Sequence, residues 1–192
     1  MTAGLTPSQT IGPFFEGEML RQDMRRNVLV GPETEGERIR IEGRLLDGDG
    51  APVPDGLVEI WQANHHGRYN HPADTRALPL DPAFLGYGRS GTDEAGHFWF
   101  ETVKPGAVPF DGERQQAPHV LLTIFARGLL NHLVTRLYFE DEPANETDPV
   151  LGQVPEERRG TLMASRSEAG GLAVYRFDIV LHGAAETAFF AV

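Results

Sequence analysis

The sequence predicts an all-β protein: an antiparallel β-sandwich with long loops and one or two short helices. Apolar segments of strand length recur at irregular intervals along the chain. The 22 glycines and 14 prolines are scattered between these segments, where turns are needed. Segments with helical periodicity are few. These observations favour a sandwich, with a closed β-barrel as the main alternative.

The N-terminal part, ahead of the first predicted strand, is expected to form an arm. Leu5–Phe15 carries two prolines and should be extended, and Glu16–Arg26 is expected to form one short helix. Asn27–Glu37 has the composition of a loop. We therefore divide the chain into an N-terminal arm with a short helix, residues 1–37, and a β-sandwich domain, residues 38–192.

The strands of that domain are predicted from alternation and from short apolar runs bounded by turn residues. Arg38–Leu46 alternates at Ile39 and Ile41, and Asp-Gly-Asp-Gly follows it. The predicted strands are Arg38–Leu46, Leu57–Gln62, Phe98–Val103, Val120–Ala126, Leu133–Phe139, Leu172–Leu181 and Thr187–Val192. A long loop, Asn64–Pro82, follows the second strand. Pro155–Ser165 has a proline start and an acidic first turn, which predicts a second helix.

Composition excludes several classes of protein. The absence of cysteine excludes disulfide scaffolds, zinc fingers, iron–sulfur proteins and thiol enzymes. The net charge of −11 argues against nucleic acid or an anionic membrane as the main partner. No apolar run is long enough to span a bilayer, and the N-terminus lacks a signal-peptide pattern. We therefore expect a cytoplasmic protein.

Four potential metal ligands, His65, His66, Tyr69 and His71, lie within seven residues of one another. The segment follows a strand end and is rich in turn residues, so it should be an exposed loop. Adjacent histidines on such a loop are expected to point apart into water. We do not expect a metal site here.

Two further residues stand out at the ends of one predicted strand. His119 would form a chelating pair with a donor two residues on, but position 121 is leucine, so a buried, hydrogen-bonded histidine is expected. Arg127 precedes Gly128, where its guanidinium could face a cleft. Local sequence alone favours a solvent-exposed turn arginine there. No hydrolase elbow or phosphate-binding glycine loop is present.

Six segments, taken in order, resemble the intradiol ring-cleaving dioxygenases and together cover nearly the whole chain. They are Ser8–Phe14, Leu57–Gly67, Asp93–Gly106, Ala117–Gly128, His132–Phe139 and Tyr175–Ile179. The resemblance implies a β-sandwich that binds one non-haem ferric ion through two tyrosines and two histidines. It also implies that dioxygen opens a catechol ring between its two oxygenated carbons.

The resemblance assigns the iron ligands to four positions, of which this chain retains one. Arg76 stands where a tyrosine is expected before Pro-Leu-Asp-Pro, and Val108 stands where the second tyrosine is expected. Of the histidine pair, His119 is kept and Leu121 replaces the other. A single imidazole cannot hold catalytic ferric iron, so the resemblance implies no catalytic and no metal-binding residue on this chain.

The resemblance therefore implies a non-iron-binding alpha subunit beside a homologous beta chain that carries Fe(3+). The implied substrate at the shared cleft is 3,4-dihydroxybenzoate, which is cleaved with O2 to 3-carboxy-cis,cis-muconate. Thr10, Gly12 and Pro13 are implied to line the mouth of the partner's cleft. Arg127 is implied to place positive charge near the substrate carboxylate.

The same resemblance leaves the paired phenylalanines Phe14–Phe15 and Phe189–Phe190 with two possible roles. They would contact the partner or close the chain's own core. Two other functions also stay open. The chain would be a self-sufficient catechol dioxygenase if Tyr69 or Tyr87 and His119 or His71 were recruited as ligands, or it would be a non-enzymatic binding or scaffold module.

Overall fold

The computed structural model describes residues 7–12 and 14–191, and its regular structure is mostly β. Its strands are β1 (Arg38–Leu46), β2 (Leu57–Trp61), β3 (Tyr87–Gly91), β4 (His97–Val103), β5 (Val108–Pro109), β6 (Gln115–Gln116), β7 (His119–Phe125), β8 (Leu133–Phe139), β9 (Met163–Ala169), β10 (Leu172–Arg176) and β11 (Ile179–Val180). Its helices are α1 (Phe14–Met19) and α2 (Glu156–Arg159), with short 3-10 helices at Pro143–Thr147, Leu151–Gln153 and Gly160–Leu162. No helix of the described residues is long and apolar enough to cross a membrane.

Nine strands form one sheet. Eight of them follow the order β11-β1-β10-β9-β8-β7-β2-β3, and the ninth, β4, also pairs with β1. Strands β5 and β6 form a separate small ribbon. The mostly-β prediction is confirmed, and most of the strand pairs are antiparallel as predicted, but three are parallel. β1 runs parallel to β10 and β11, and β8 runs parallel to β9. Parallel neighbours require long crossover connections, which the chain between these strands provides. The two-layer sandwich stays a prediction.

The hydrophobic core takes side chains from strands along most of the strand order. In β1, Ile39, Ile41 and Leu45 are at most 1% exposed, whereas Arg40 and Arg44 point outward, as the alternation predicted. They join one hydrophobic cluster with residues of β2, β4, β7, β8 and β10. Each large apolar side chain buried in this way contributes roughly 1.5–3 kcal/mol. Packing in this cluster therefore fixes the positions of these six strands relative to one another.

The segment around Asn27, predicted as loop, links the two free edges of the sheet. Arg26 exchanges backbone hydrogen bonds with Arg89 on β3, at 2.9 and 3.0 Å. The carbonyl of Asn27 and the N–H of Leu29 bond to Glu101 on β4, each at 2.8 Å. Leu29 is also a member of the core cluster. The sheet is therefore nearly closed by residues that lack strand periodicity.

Both predicted helices are shorter than expected. The helix expected within Glu16–Arg26 begins earlier, at Phe14, and ends at Met19, with the ring of Phe15 packed 5.7 Å from that of Phe125. The helix expected over Pro155–Ser165 covers only Glu156–Arg159. A 3-10 turn follows it, and the chain then enters β9, which pairs with both β8 and β10. Pairing on two sides overrides the local helical preference.

The last two predicted strands also need correction. Leu172–Leu181 is divided into β10 and β11, because the paired register with β1 stops at Arg176 and resumes at Ile179. Between them, the N–H of Phe177 still donates to the carbonyl of Glu42, at 2.9 Å. The final strand predicted at Thr187–Val192 is wrong over residues 187–191, which form no ladder, and Val192 lies outside the described residues. Phe189 packs on the main core cluster and Phe190 on a second, smaller one. These two rings therefore pack against the chain's own core; the side chain of Phe14 lies outside the described part.

Candidate functional site

A cleft of about 560 Å³ opens beside the ends of β2 and β5. It is lined by Trp61, Tyr69, His71, Ala73, Asp74, Thr75, Arg76, Val108 and Pro109. Two of the four positions that the sequence analysis assigned to iron ligands, 76 and 108, thus line the same cleft. The mixture of aromatic and charged side chains is what a binding cleft requires.

Tyr69 and His71 pack on the aromatic wall of this cleft. The ring of Tyr69 stacks nearly parallel to Trp61, at 5.7 Å between centroids and 11°, and His71 meets Trp61 edge-on at 6.3 Å. Burial raises the pKa of Tyr69, so its hydroxyl stays protonated at neutral pH. The histidine-rich loop is therefore divided: its second half faces the cleft, and His65 and His66 do not line it.

Arg76 places a fixed positive charge in the cleft. Its Nε donates to Asp74 Oδ1 at 2.8 Å, and its Nη2 donates to Asp74 Oδ2 at 2.5 Å and to the carbonyl of Gly67 at 2.8 Å. The guanidinium holds the pKa of the Asp74 carboxyl well below its usual range. Asp74 also accepts the backbone N–H of Tyr69, at 2.8 Å. The pair ties both ends of the loop 69–76 to one carboxylate.

His119 is buried and hydrogen-bonded, as predicted. Its Nδ1 lies 2.7 Å from the carbonyl oxygen of Ala117. Because a carbonyl only accepts, Nδ1 carries the proton in this bond and Nε2 keeps its lone pair. Burial, together with the charge of Arg136, lowers the pKa of His119 to about 4. Leu121 lies directly opposite Arg136 in the β7–β8 ladder.

Tyr87, a candidate ligand of the self-sufficient alternative, is committed to another contact. Its hydroxyl donates to Glu59 Oε1 at 2.7 Å, and the same oxygen accepts from Arg89 at 2.6 Å. Burial, together with this carboxylate, raises the pKa of Tyr87 to about 12. A ferric ligand must be a phenolate, so the surroundings of Tyr87 oppose that role.

The residues predicted to meet substrate lie elsewhere, on an exposed rim. The backbone N–H of Gly128 donates to Thr10 Oγ1 at 2.8 Å, which joins the arm to the turn that carries Arg127. The guanidinium of Arg127 is 69% exposed and forms an ion pair with Asp55. An added Cβ at Gly12 would meet no atom within 4 Å, so nothing in the described chain requires glycine there. Pro13 lies outside the described residues.

This Thr10–Arg127 rim and the cleft lie at opposite ends of β7. His119 begins the strand and Phe125 ends it, and a seven-residue strand spans roughly 20 Å. Beside the rim is a second depression of about 240 Å³. It is lined by Gln9, Ile11, Phe15, Phe125, Ala126, Leu129, Leu130, Asn131 and His132. Arg127 therefore does not line the cleft of its own chain.

Comparison with known proteins decides the family. A sequence model described as dioxygenase matches residues 11–183. A protocatechuate 3,4-dioxygenase alpha chain from Burkholderia cepacia is 40% identical over 97% of this chain and 97% of its own length. The chain belongs to the intradiol ring-cleavage dioxygenases. A solved dioxygenase domain from Streptomyces sp. SirexAA-E is 27% identical, with a TM-score of 0.65 over 93% of this chain and 100% of that domain.

A protocatechuate 3,4-dioxygenase beta chain, also from Burkholderia cepacia, matches as well. It is 41% identical over 85% of this chain but only 72% of its own length. Percentage identity therefore does not separate the two kinds of chain, whereas the alpha relative is covered almost completely. This sequence is therefore similar both to an alpha chain and to a beta chain of an intradiol dioxygenase.

Three residues that lie beside the sequence-predicted site positions escaped the sequence analysis. Asp74 could have been found, because a carboxylate two residues before Arg76 in a turn-rich loop is a natural partner for it. Arg136 could not, because only the β7–β8 register places it opposite Leu121. Asp55, the partner of Arg127, lies in a turn far away in sequence and gave no signal.

Proposed function

We propose that this chain is the non-iron-binding alpha subunit of a heteromeric protocatechuate 3,4-dioxygenase. That enzyme cleaves 3,4-dihydroxybenzoate with O2 to 3-carboxy-cis,cis-muconate. The observation that carries the proposal is the Arg76 guanidinium, paired with Asp74 in the cleft where the family resemblance places a tyrosine ligand. The alpha-chain relative and the beta-chain relative support a two-chain assembly.

The four ligand positions do not fit ferric iron. Arg76 has a protonated guanidinium with no lone pair to offer a metal ion, and the side chains of Val108 and Leu121 have no donor atoms. His119 alone offers a nitrogen, and the charge of Arg136 acts on it as well. We therefore assign the Fe(3+) of the assembly to the partner beta chain and derive no reaction step in this chain's own cleft.

The contribution of this chain is to bind and orient substrate in the partner's cleft, through Thr10, Gly12, Pro13 and Arg127. The rim with Thr10 and Arg127 lies roughly 20 Å along β7 from the chain's own cleft, so these two residues serve a site on another subunit. The exposed guanidinium of Arg127 attracts the carboxylate that distinguishes protocatechuate from catechol. The neighbouring apolar depression, with Leu130 60% exposed, offers a surface for the partner.

The substitution Arg127→Ala in the assembled enzyme tests this role. A charge-assisted contact is worth about 1.5–3 kcal/mol, so kcat/KM for protocatechuate should fall about ten- to a hundredfold. Cleavage of plain catechol should change far less.

Asp55→Asn is the matched control, because it removes the ion pair and leaves the guanidinium in place. It should retain or increase the efficiency toward protocatechuate. Equal losses on both substrates in Arg127→Ala would show that the arginine only supports the turn. A loss in Asp55→Asn as large as that in Arg127→Ala would show the same.

Three structural predictions accompany this proposal. They are the two-layer sandwich, the division into an arm of residues 1–37 and a domain of residues 38–192, and the cytoplasmic location. The nearly closed sheet and its single main core support the first. The hydrogen bond between Thr10 and Gly128 supports a partner-facing arm, since it displays the arm beside Arg127.

A further inference from the structure

Two imidazoles and one carboxylate converge on a surface away from the cleft and the rim. His65 Nε2 lies 3.9 Å and His66 Nε2 lies 3.7 Å from Glu35 Oε2, and the two ring centroids are 3.7 Å apart. The expectation that these adjacent histidines point apart is wrong. Within residues 7–12 and 14–191, no other group of three His, Asp or Glu side chains brings its donor atoms within 4.8 Å of one another.

The backbone that carries the two histidines is fixed on both sides. Asn64 Oδ1 accepts the N–H groups of His66 and Arg68, both at 3.0 Å, and its Nδ2 donates to the carbonyl of Pro79 at 3.0 Å. Gly67 has φ +79°, and a Cβ there would lie 2.0 Å from the carbonyl oxygen of Ala107. This close approach requires glycine and presses the loop against the segment that leads to β5.

The carboxylate arrives from a segment thirty residues earlier and is anchored independently. The N–H of Glu35 donates to Asp81 Oδ2 at 3.1 Å, and Asp81 is buried. Gly36, with φ +107°, lies so close to His65 that an added Cβ would be 2.7 Å from the His65 Cβ. The convergence of the three donors therefore follows from backbone contacts on two separate loops.

We propose that Glu35, His65 and His66 bind a divalent transition metal ion of the zinc class, with water in the remaining position. Two imidazole nitrogens and one carboxylate oxygen are a known ligand set for Zn²⁺. Ligand atoms about 2.0–2.2 Å from a tetrahedral ion lie ~3.3–3.6 Å from one another. The two Nε2 atoms lie 3.9 and 3.7 Å from Glu35 Oε2, so the carboxylate has to move closer by a few tenths of an ångström. The Glu35 side chain, 69% exposed, is free to make that movement.

The two ring nitrogens of His65 have different surroundings. Nδ1 is buried and has no hydrogen-bond partner among the described residues, whereas Nε2 faces Glu35 Oε2 at 3.9 Å and is the nitrogen available to a metal ion. A metal ion bound there would neutralise the carboxylate and keep both imidazoles uncharged. None of the three residues lines the chain's own cleft, and the proposal does not depend on the proposed function.

The test is titration of the full-length chain with Zn²⁺, and with Co²⁺ as a spectroscopic probe, at pH 7.5. One site is expected, with a Co²⁺ visible spectrum typical of nitrogen and oxygen ligands. Glu35→Gln and His66→Gln should each weaken binding about tenfold or more. Saturating Zn²⁺ should raise the Tm of the unsubstituted chain but not of these two variants.

His97→Gln is the matched control, because His97 and Asp93 form an exposed pair at 3.5 Å that lacks a third donor. It should bind Zn²⁺ like the unsubstituted chain. Absence of a Zn²⁺ site, or equal affinities for the Glu35→Gln, His66→Gln and His97→Gln variants, would overturn the proposal. Far-ultraviolet circular dichroism identifies a variant that has failed to fold; in that case His65→Gln, measured in the same way, replaces it.

Discussion

Arg76 and Asp74 form the strongest polar contact of the cleft. The carboxylate of Asp74 is only 7% exposed, and it accepts two bonds from the guanidinium besides the N–H of Tyr69. Because the folded-state pKa of Asp74 lies below its unfolded value, the pair contributes stability above the unfolded pKa. That contribution is lost as pH falls below about 3.8.

Replacing Arg76 with leucine should destabilise the chain. The change leaves a nearly buried carboxylate unpaired, and we expect a loss of about 2 kcal/mol in the free energy of unfolding at pH 7. A fully buried pair would cost about 3–5 kcal/mol, but Arg76 is 28% exposed. Urea denaturation measures the difference. Arg114→Leu is the control, since its pair with Asp111 is exposed and should contribute less than about 1 kcal/mol.

His119 makes the stability of the chain sensitive to acid. Its folded pKa of about 4 lies below the unfolded value of 6.5, so the unfolded chain binds a proton more readily. The associated stability is fully present above pH 6.5 and falls by about 1.4 kcal/mol per pH unit between pH 6.5 and 4. Protonation of this one ring is therefore a cause of acid unfolding.

The substitution His119→Asn should remove this sensitivity. Asparagine keeps a donor for the carbonyl of Ala117 but does not titrate. Between pH 7.5 and pH 5 the unsubstituted chain should lose about 2 kcal/mol more of its unfolding free energy than the variant. Parallel pH profiles for the two proteins would show that the ring of His119 is not held neutral.

At the scale of the elements, the segment around Asn27 connects the edge strands β3 and β4. The Asn27 Nδ2 donates to Ser90 Oγ on β3 at 2.8 Å and to the carbonyl of Trp99 on β4 at 2.7 Å. One side chain thus joins edges that would otherwise present free backbone groups.

Asn27→Ala should cost about 1–3 kcal/mol of unfolding free energy, because both bonds are lost and buried groups are left unpaired. Hydrogen exchange should quicken at the backbone amides of β3 and β4 more than at those of β9. Asn131→Ala, at an exposed turn position, is the control and should be nearly neutral. A loss spread evenly over all strands would argue against a local role at these edges.

The elements also show which structure can be predicted from sequence. β1 was predictable because one of its faces lies on the core, so its apolar residues alternate. β9 was missed because, after its first two residues, its side chains are exposed. β3 was missed because it contains two glycines, whose close packing against other strands leaves no apolar pattern. Strands without a conventional buried face carry no periodic signal.

Most residues of the candidate site likewise carry no local sequence signal. Arg76, Val108 and Leu121 could be singled out only through a family resemblance, since nothing in their own neighbourhoods marks a cleft. Local composition did identify the histidine-rich loop, but it could not show that His65 and His66 meet Glu35. That meeting depends on contacts between residues far apart in sequence: the N–H of Glu35 bonds to Asp81, and Gly36 packs closely against His65.

For the whole molecule, the main consequence is a separation of two faces. The cleft with Arg76 lies at one end of β7, and the rim with Arg127 lies at the other. A chain with this arrangement can contribute to a neighbour's site while its own cleft holds a guanidinium. The net charge of −11 agrees with a protein partner rather than a nucleic acid.

The most direct test of this account is the iron content and visible absorption of the chain purified alone, compared with the same chain co-purified with the proposed beta chain. We expect the chain alone to be colourless and without stoichiometric iron. The complex should carry iron and the absorption band of tyrosinate bound to Fe(3+). A coloured chain that holds one iron per molecule in the absence of any partner would contradict the account.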